Sequence, residues 1–177
     1  MTILGISGSL RKGSTNTALL RALQELAPAG MTIEIASIDA IPLYNQDAEE
    51  TFPPAVRALK AKIAAADGLI IATPEYNRSM SGVLKNAIDW LSRPYGENSF
   101  AKKTVLVAGV SGGKIGTAVA QSHLRQVLVH LDADVIGQPE LYLGPAQTLF
   151  DEAGNLTDEA TKELAQKALS VLALRAA

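Results

Sequence analysis

The chain has 177 residues, of which 47% are apolar and 19% charged, and it carries a net charge of −2 at neutral pH. That length and mixture suit one buried core, so residues 1–177 are expected to form a single domain. The charge gives no attraction for nucleic acid or an anionic membrane surface, and no apolar run approaches the ~20 residues of a membrane span.

There is no cysteine. Disulfides, thiolate catalysis and cysteine-ligated metals are excluded, and the cytoplasm is the expected location. The opening MTILGISGSLRKG does not read as a secretory signal, because no basic segment precedes a long apolar one. His123 and His130 have no carboxylate at ligand spacing, so they are expected at the surface or an interface, and no metal site is expected.

In chain order, a strand is predicted over Thr2–Ser7, then a loop through Asn16, then a helix with Leu19, Leu20, Leu23 and Leu26 on one stripe. A second strand spans Thr32–Ala36, and Val56, Leu59 and Ile63 mark the next helix. A third strand, Gly68–Thr73, leads through a loop to a helix striped by Val83, Leu84, Ala87, Ile88 and Leu91. A fourth strand, Thr104–Val110, is followed by a helix with Val119, Leu124, Val127, Leu128 and Leu131. The fifth strand falls within Ala133–Leu143, where Pro139 marks a break or an edge. After Gly154, Thr157-Asp158-Glu159 opens a last helix with Leu164, Ala168, Val171 and Leu172 facing inward.

The strands are continuous Val/Ile/Leu runs rather than alternating ones, which suits a parallel sheet covered on both faces. Strand–helix alternation along the whole chain gives an α/β fold, a doubly wound sheet with right-handed crossovers. Ligands of such sheets bind beyond the carboxyl ends of the strands, so three loops carry the functional information: Gly8–Thr15, Pro74–Ser81 and Ser111–Gly116.

The first loop, Gly8-Ser9-Leu10-Arg11-Lys12-Gly13-Ser14-Thr15-Asn16, joins hydroxyls and two cations to a helix N-terminus with free N–H groups. That is the donor set a phosphate needs. Gly8 and Gly13 keep Walker A spacing, but Ser14 stands where its lysine is required, and Gly5, Gly8 and Gly13 miss the dinucleotide spacing. A terminal monoester phosphate fits best. A plain turn capped by Ser14 or Asn16 is the alternative.

In the second loop, Pro74 stiffens the chain, Tyr76 offers a flat face, and Asn77 and the backbone offer donors and acceptors, which suits a planar heterocycle. The third loop, with Ser111, Gly112 and Gly113, is small enough to pass over a ring edge.

Together with Ile41-Pro42-Leu43-Tyr44-Asn45-Gln46-Asp47 and Gly82-Val83-Leu84-Lys85-Asn86-Ala87-Ile88-Asp89-Trp90-Leu91-Ser92-Arg93, these loops resemble the NADPH-dependent FMN reductase family. That flavodoxin-like group includes bacterial quinone, chromate, ferric and azo reductases. The resemblance implies a five-stranded parallel sheet in the order 2-1-3-4-5. It implies FMN as cofactor, NADPH or NADH as electron donor, and a dimer or tetramer with the flavin at the subunit boundary; a homotetramer is the expected assembly. It places the phosphate on Ser9, Leu10, Arg11, Lys12, Gly13, Ser14, Thr15 and Asn16, with Ser9, Arg11, Ser14 and Asn16 as main contacts. Pro74, Glu75, Tyr76 and Asn77 then lie along the isoalloxazine, with Ser111 near it. Arg78, where many relatives carry an aromatic residue, and Gly112 and Gly113 in the variable third loop are the expected substrate contacts.

The expected activity is hydride transfer from NAD(P)H through FMN to a small-molecule acceptor, a quinone, chromate, ferric chelate or azo compound. No protein acid or base is required, and no catalytic side chain is assigned. Glu75 is read as solvated or bonded to backbone, and Arg78 as a partner for the NADPH phosphate or a neighbouring subunit's carboxylate. The alternatives are a flavin reductase that supplies reduced FMN to a partner monooxygenase and a flavodoxin-type electron carrier.

Overall fold

A computed structural model describes every residue from Met1 to Ala177. Its strands are β1 (Thr2–Ser7), β2 (Thr32–Ala36), β3 (Gly68–Ala72), β4 (Thr104–Val110), β5 (Asp134–Val135) and β6 (Leu141–Leu143). The helices are α1 (Thr15–Glu25), α2 (Pro54–Ala65), α3 (Gly82–Leu91), α4 (Ala118–His130), α5 (Ala146–Leu149) and α6 (Glu159–Ala176). All strand pairings are parallel, in the order β2-β1-β3-β4-β5, with β6 also on β4. This is the predicted flavodoxin-like order.

The fifth strand position is filled in two pieces. Thr104 pairs with Asp134 and Val105 with Val135, whereas the outer half of β4 pairs with Leu141–Leu143. Gly137-Gln138-Pro139 lies between them, and Pro139 has no N–H to give the ladder.

Alternate residues of each strand feed opposite cores, which explains the continuous apolar runs. Ile3, Ile33, Ile70 and Leu106 pack with Leu19, Leu20 and Leu23 of α1 and Leu169 and Leu172 of α6. Leu4, Ile6, Leu69, Ile71, Val105 and Val107 pack against Leu59 and Ile63 of α2, Leu84 and Ile88 of α3, and Leu124 and Leu128 of α4. Each such side chain, once buried, contributes about 1.5–3 kcal/mol, so a central strand buried on both faces anchors more than an edge strand can.

Three details differ from the predicted elements. On α3, Val83 is exposed and Trp90 is fully buried, because residues 41–52 fold over that side of the helix. Trp90 makes edge contacts with Tyr44 at 5.0 Å and Phe52 at 5.3 Å. On α6, Ala165 and Leu169 are buried while Leu164 and Val171 lie at the margin. A 3₁₀ turn over Gln46–Thr51, with the Asn45 side chain accepting from the Asp47 amide, had no sequence signal beyond a run of polar residues.

At the carboxyl edge, Gly109 explains a tight crossing. A Cβ there would lie 2.1 Å from Thr117 Oγ1 and 2.4 Å from the Thr73 carbonyl oxygen. No helix is long and apolar enough to cross a membrane.

Candidate functional site

The three predicted loops meet beyond the carboxyl ends of β1, β3 and β4, where β1 is flanked by β2 on one side and β3 on the other. Buried polar side chains hold them there. The Ser81 hydroxyl, which also caps α3, donates to the Gly8 carbonyl at 2.6 Å and ties the second loop to the first. The Asn16 amide donates from Nδ2 to the Val110 carbonyl and accepts through Oδ1 from the Val110 amide, both at 3.0 Å, and ties the first helix to the end of β4. Glu75 Oε2 accepts from the amides of Val119 and Ala120 at 3.0 and 3.1 Å, joining the second loop to α4.

The first loop presents a set of unspent donors. Its Gly8 amide is spent on the Ala72 carbonyl and its Ser14 amide on Arg11, while Ser14 Oγ accepts from Thr17 as the α1 cap. The amides of Leu10, Lys12, Gly13, Thr15 and Asn16 have no partner in the chain, and neither the Arg11 guanidinium nor the Lys12 ammonium forms an ion pair. Unspent amides at a helix N-terminus beside a free guanidinium fit a phosphate dianion. A polar cavity of about 140 Å³ adjoins this loop, lined by Ser9, Arg11, Ser14, Tyr76, Ser111 and Gly112 among others.

A wider groove of about 650 Å³ opens from the same place, and Leu10, Leu43, Tyr76, Gly82 and Val83 give it apolar walls. Leu43 and Val83 were not predicted as site residues. Leu43 is set by α3: Trp90 Nε1 and Asn86 Nδ2 both donate to the Pro42 carbonyl, at 2.9 and 2.8 Å, and Asn86 Oδ1 accepts from the Tyr44 amide at 2.7 Å. The signal available in the sequence was the spacing of Asn86 and Trp90, four apart and so on one face of the helix. Val83 was hidden in the apolar stripe of α3.

Of the remaining predicted residues, Pro74 is buried, while Asn77 and Arg78 form an exposed turn with φ of 50° and 62°. That turn is closed by reciprocal bonds of 3.0 Å between the backbones of Tyr76 and Ser79. Arg78 Nη1 stands 3.3 Å from Glu75 Oε1, with its own side chain 68% exposed and that of Glu75 only 8%. Of the two expected settings for Glu75, solvated or bonded to backbone, the structure shows the second, with Arg78 on its other oxygen. Ser111 Oγ donates to the Gly116 carbonyl at 2.7 Å and accepts from the Gly113 amide at 3.2 Å, so Ser111, Gly112 and Gly113 form one folded turn. His123 contacts Ser79, with Nδ1 3.1 Å from Oγ, and both histidines are exposed on α4.

A doubly wound sheet with a set of unspent donors after β1 and a half-apolar groove beside it is the arrangement of a flavodoxin-like, mononucleotide-binding protein. The profile of the NADPH-dependent FMN reductases matches residues 1–148. An NAD(P)H-dependent FMN reductase of Pseudomonas aeruginosa is 53% identical over 173 residues, covering 97% of this chain and 93% of that protein. A quinone reductase of Escherichia coli K12 is 47% identical over 165 residues, covering 91% and 87%. The solved flavoenzyme NAD(P)H:(acceptor) oxidoreductase of Paracoccus denitrificans superposes with a TM-score of 0.91 at 38% identity, covering 99% of this chain and 96% of that one. The chain belongs to the NADPH-dependent FMN reductase family, and it is an FMN-dependent NAD(P)H oxidoreductase.

Proposed function

We propose that residues 1–177 act as one FMN-binding unit that reduces quinones and similar acceptors, with the FMN phosphate in the Ser9–Asn16 cradle. The observation that carries this reading is the set of unspent amides beside the unpaired Arg11, opening into a groove with apolar walls. Bound FMN supplies the hydride acceptor and donor that the side chains lack. The residues supply the rest. Arg11, the free amides and the Ser9 and Thr15 hydroxyls neutralise and fix the phosphate; Asn16 contributes its backbone amide while its side chain holds Val110. Pro74, Glu75 and Tyr76 of the second loop and Ser111 of the third line the cavity, and Asn77 is assigned to the ring from the turn that follows Tyr76. Leu43 and Val83 offer apolar contact where a flat acceptor enters the groove.

Arg78, Gly112 and Gly113 are assigned to the nicotinamide nucleotide or the acceptor at the mouth. Arg11 and Lys12 of the first loop and Lys114 of the third carry no ion-pair partner, so these loops present free cations on a chain whose net charge is −2. An anionic dinucleotide is attracted to such loops. The exposed apolar side chains around the groove, Leu10 at 50%, Leu43 at 86% and Tyr76 at 49%, support a homo-oligomer, which we propose to be a homotetramer. The cytoplasm, a reducing compartment, suits a chain without cysteine.

The deciding experiment is Arg11→Ala, followed by FMN titration. Loss of one charge-assisted contact should raise the FMN Kd by about 10- to 100-fold while leaving the affinity for riboflavin, which lacks the phosphate, unchanged. An equal loss for both flavins would move the phosphate elsewhere. Light scattering of the FMN-loaded protein tests the tetramer, and turnover with a quinone as sole acceptor tests the substrate class.

A further inference from the structure

Of the contacts that hold the three loops together, the one made by Glu75 is unlike the others. Helix α4 begins without a side-chain cap: Thr117 makes no capping bond, and its hydroxyl instead accepts from Gln121 Nε2 at 2.9 Å. No acidic residue lies in its first turn. The free amides of Val119 and Ala120 would be orphans at a partly buried helix end, a costly arrangement. They are satisfied from outside the helix, across 44 and 45 residues of sequence, by Glu75 Oε2.

The other carboxylate oxygen faces Arg78, so both oxygens of this 8%-exposed group are committed within the chain. The same stretch touches α4 a second time, where Ser79 Oγ lies 3.1 Å from His123 Nδ1. The contact matters because of what lies on either side of it. Tyr76, next in sequence to Glu75, and Ser111, which leads through Gly116 into α4, line the polar cavity beside the phosphate cradle. Glu75 itself lines that cavity, and its carboxylate is the buried one of the two polar side-chain links from the second loop to α4.

We propose that Glu75 is a positioning residue for the flavin. Acting through α4, its carboxylate sets the separation of the Pro74–Asn77 and Ser111–Gly116 loops, and it takes no part in proton transfer. The inference rests on the reading that FMN occupies this cavity.

The test compares flavin-free protein carrying Glu75→Ala, the double change Glu75→Ala/Ala118→Glu, and Arg11→Ala. Three quantities are read: hydrogen exchange at the Val119 and Ala120 amides, thermal stability, and Kd for FMN and for riboflavin. Glu75→Ala should speed exchange at both amides and raise the Kd of FMN and of riboflavin alike, by about tenfold, because it loosens walls rather than the cradle. Arg11→Ala should weaken FMN alone; if it does not, the siting of FMN fails, separately from the role of Glu75. The carboxylate introduced by Ala118→Glu restores negative charge at the α4 N-terminus without a link to the second loop. The double variant should therefore regain thermal stability and keep the weakened flavin binding.

Unchanged flavin affinities in Glu75→Ala, or their recovery in the double variant, would reduce Glu75 to a helix cap and overturn the proposal. Should Glu75→Ala not fold, Glu75→Gln decides. It keeps one oxygen for α4 and loses the charge, and both Kd values should rise by about threefold; unchanged values overturn the proposal.

Discussion

Asn16 offers a sharp test of how the site is built. The residue is 3% exposed and spends its side-chain amide on Val110, giving one bond of 3.0 Å to the carbonyl and receiving one of 3.0 Å from the N–H. Asn16→Ala removes both partners at once. A buried backbone group left without a partner costs about 1–3 kcal/mol, and some rehydration through the adjoining cavity brings the pair to about 2–4 kcal/mol. For a chain of this length that lowers Tm by about 4–15 °C. The measurement is urea and thermal unfolding of flavin-free protein, so that ligand linkage adds nothing to either variant. Asn16→Asp keeps the acceptor for the Val110 amide but sets a carboxylate against the Val110 carbonyl, and it should be no more stable than the alanine variant. An Asn16→Ala protein that unfolds within about 0.5 kcal/mol of the parent yet binds FMN poorly would place the side chain on the phosphate and refute the reasoning.

Two further outcomes follow from local geometry. Gly109→Ala forces a methyl against Thr117 Oγ1 and the Thr73 carbonyl, at 2.1 and 2.4 Å if nothing moves, and should cost about 3 kcal/mol or more; adding Thr117→Ala should recover only part of the loss in urea unfolding, since the carbonyl stays. Asp158 caps α6, and the hydroxyl and amide of Thr161 hold its carboxyl below the usual range. Because the folded value is the lower one, this stabilisation is present above the unfolded-state value and is lost as pH falls through the folded one. The Tm gap between the parent and Asp158→Ala should thus be widest near neutrality and close in acid; a gap that persists unchanged at low pH would assign the cap no charge dependence.

What the sequence revealed follows the range of the interactions. Strands β1, β3 and β4 were legible as continuous apolar runs because a sheet covered on both faces demands them at every position. The donor set of the first loop was legible because its amides, hydroxyls and cations are neighbours in the chain. The place of Asn16 in that loop speaks for its free backbone amide, whereas the partner of its side chain, Val110, lies 94 residues away and leaves no local signal. Val83 and Trp90 exchanged roles for a related reason. The helical stripe alone favours Val83, and only the fold of residues 41–52 over α3 shows that the wider apolar surface belongs to Trp90. The broken fifth strand was marked by Pro139, a purely local restriction on hydrogen bonding.

Trp90 is the one tryptophan of the chain, fully buried, with its indole N–H on the carbonyl that immediately precedes Leu43. The protein thus carries its own optical gauge of the groove. While Pro42 is seated, the indole emits from an apolar, hydrogen-bonded setting; if the segment carrying Leu43 lifts away, water reaches the ring and the emission moves to the red. Opening of the groove can be followed in the native chain by tryptophan fluorescence, with no label and no turnover.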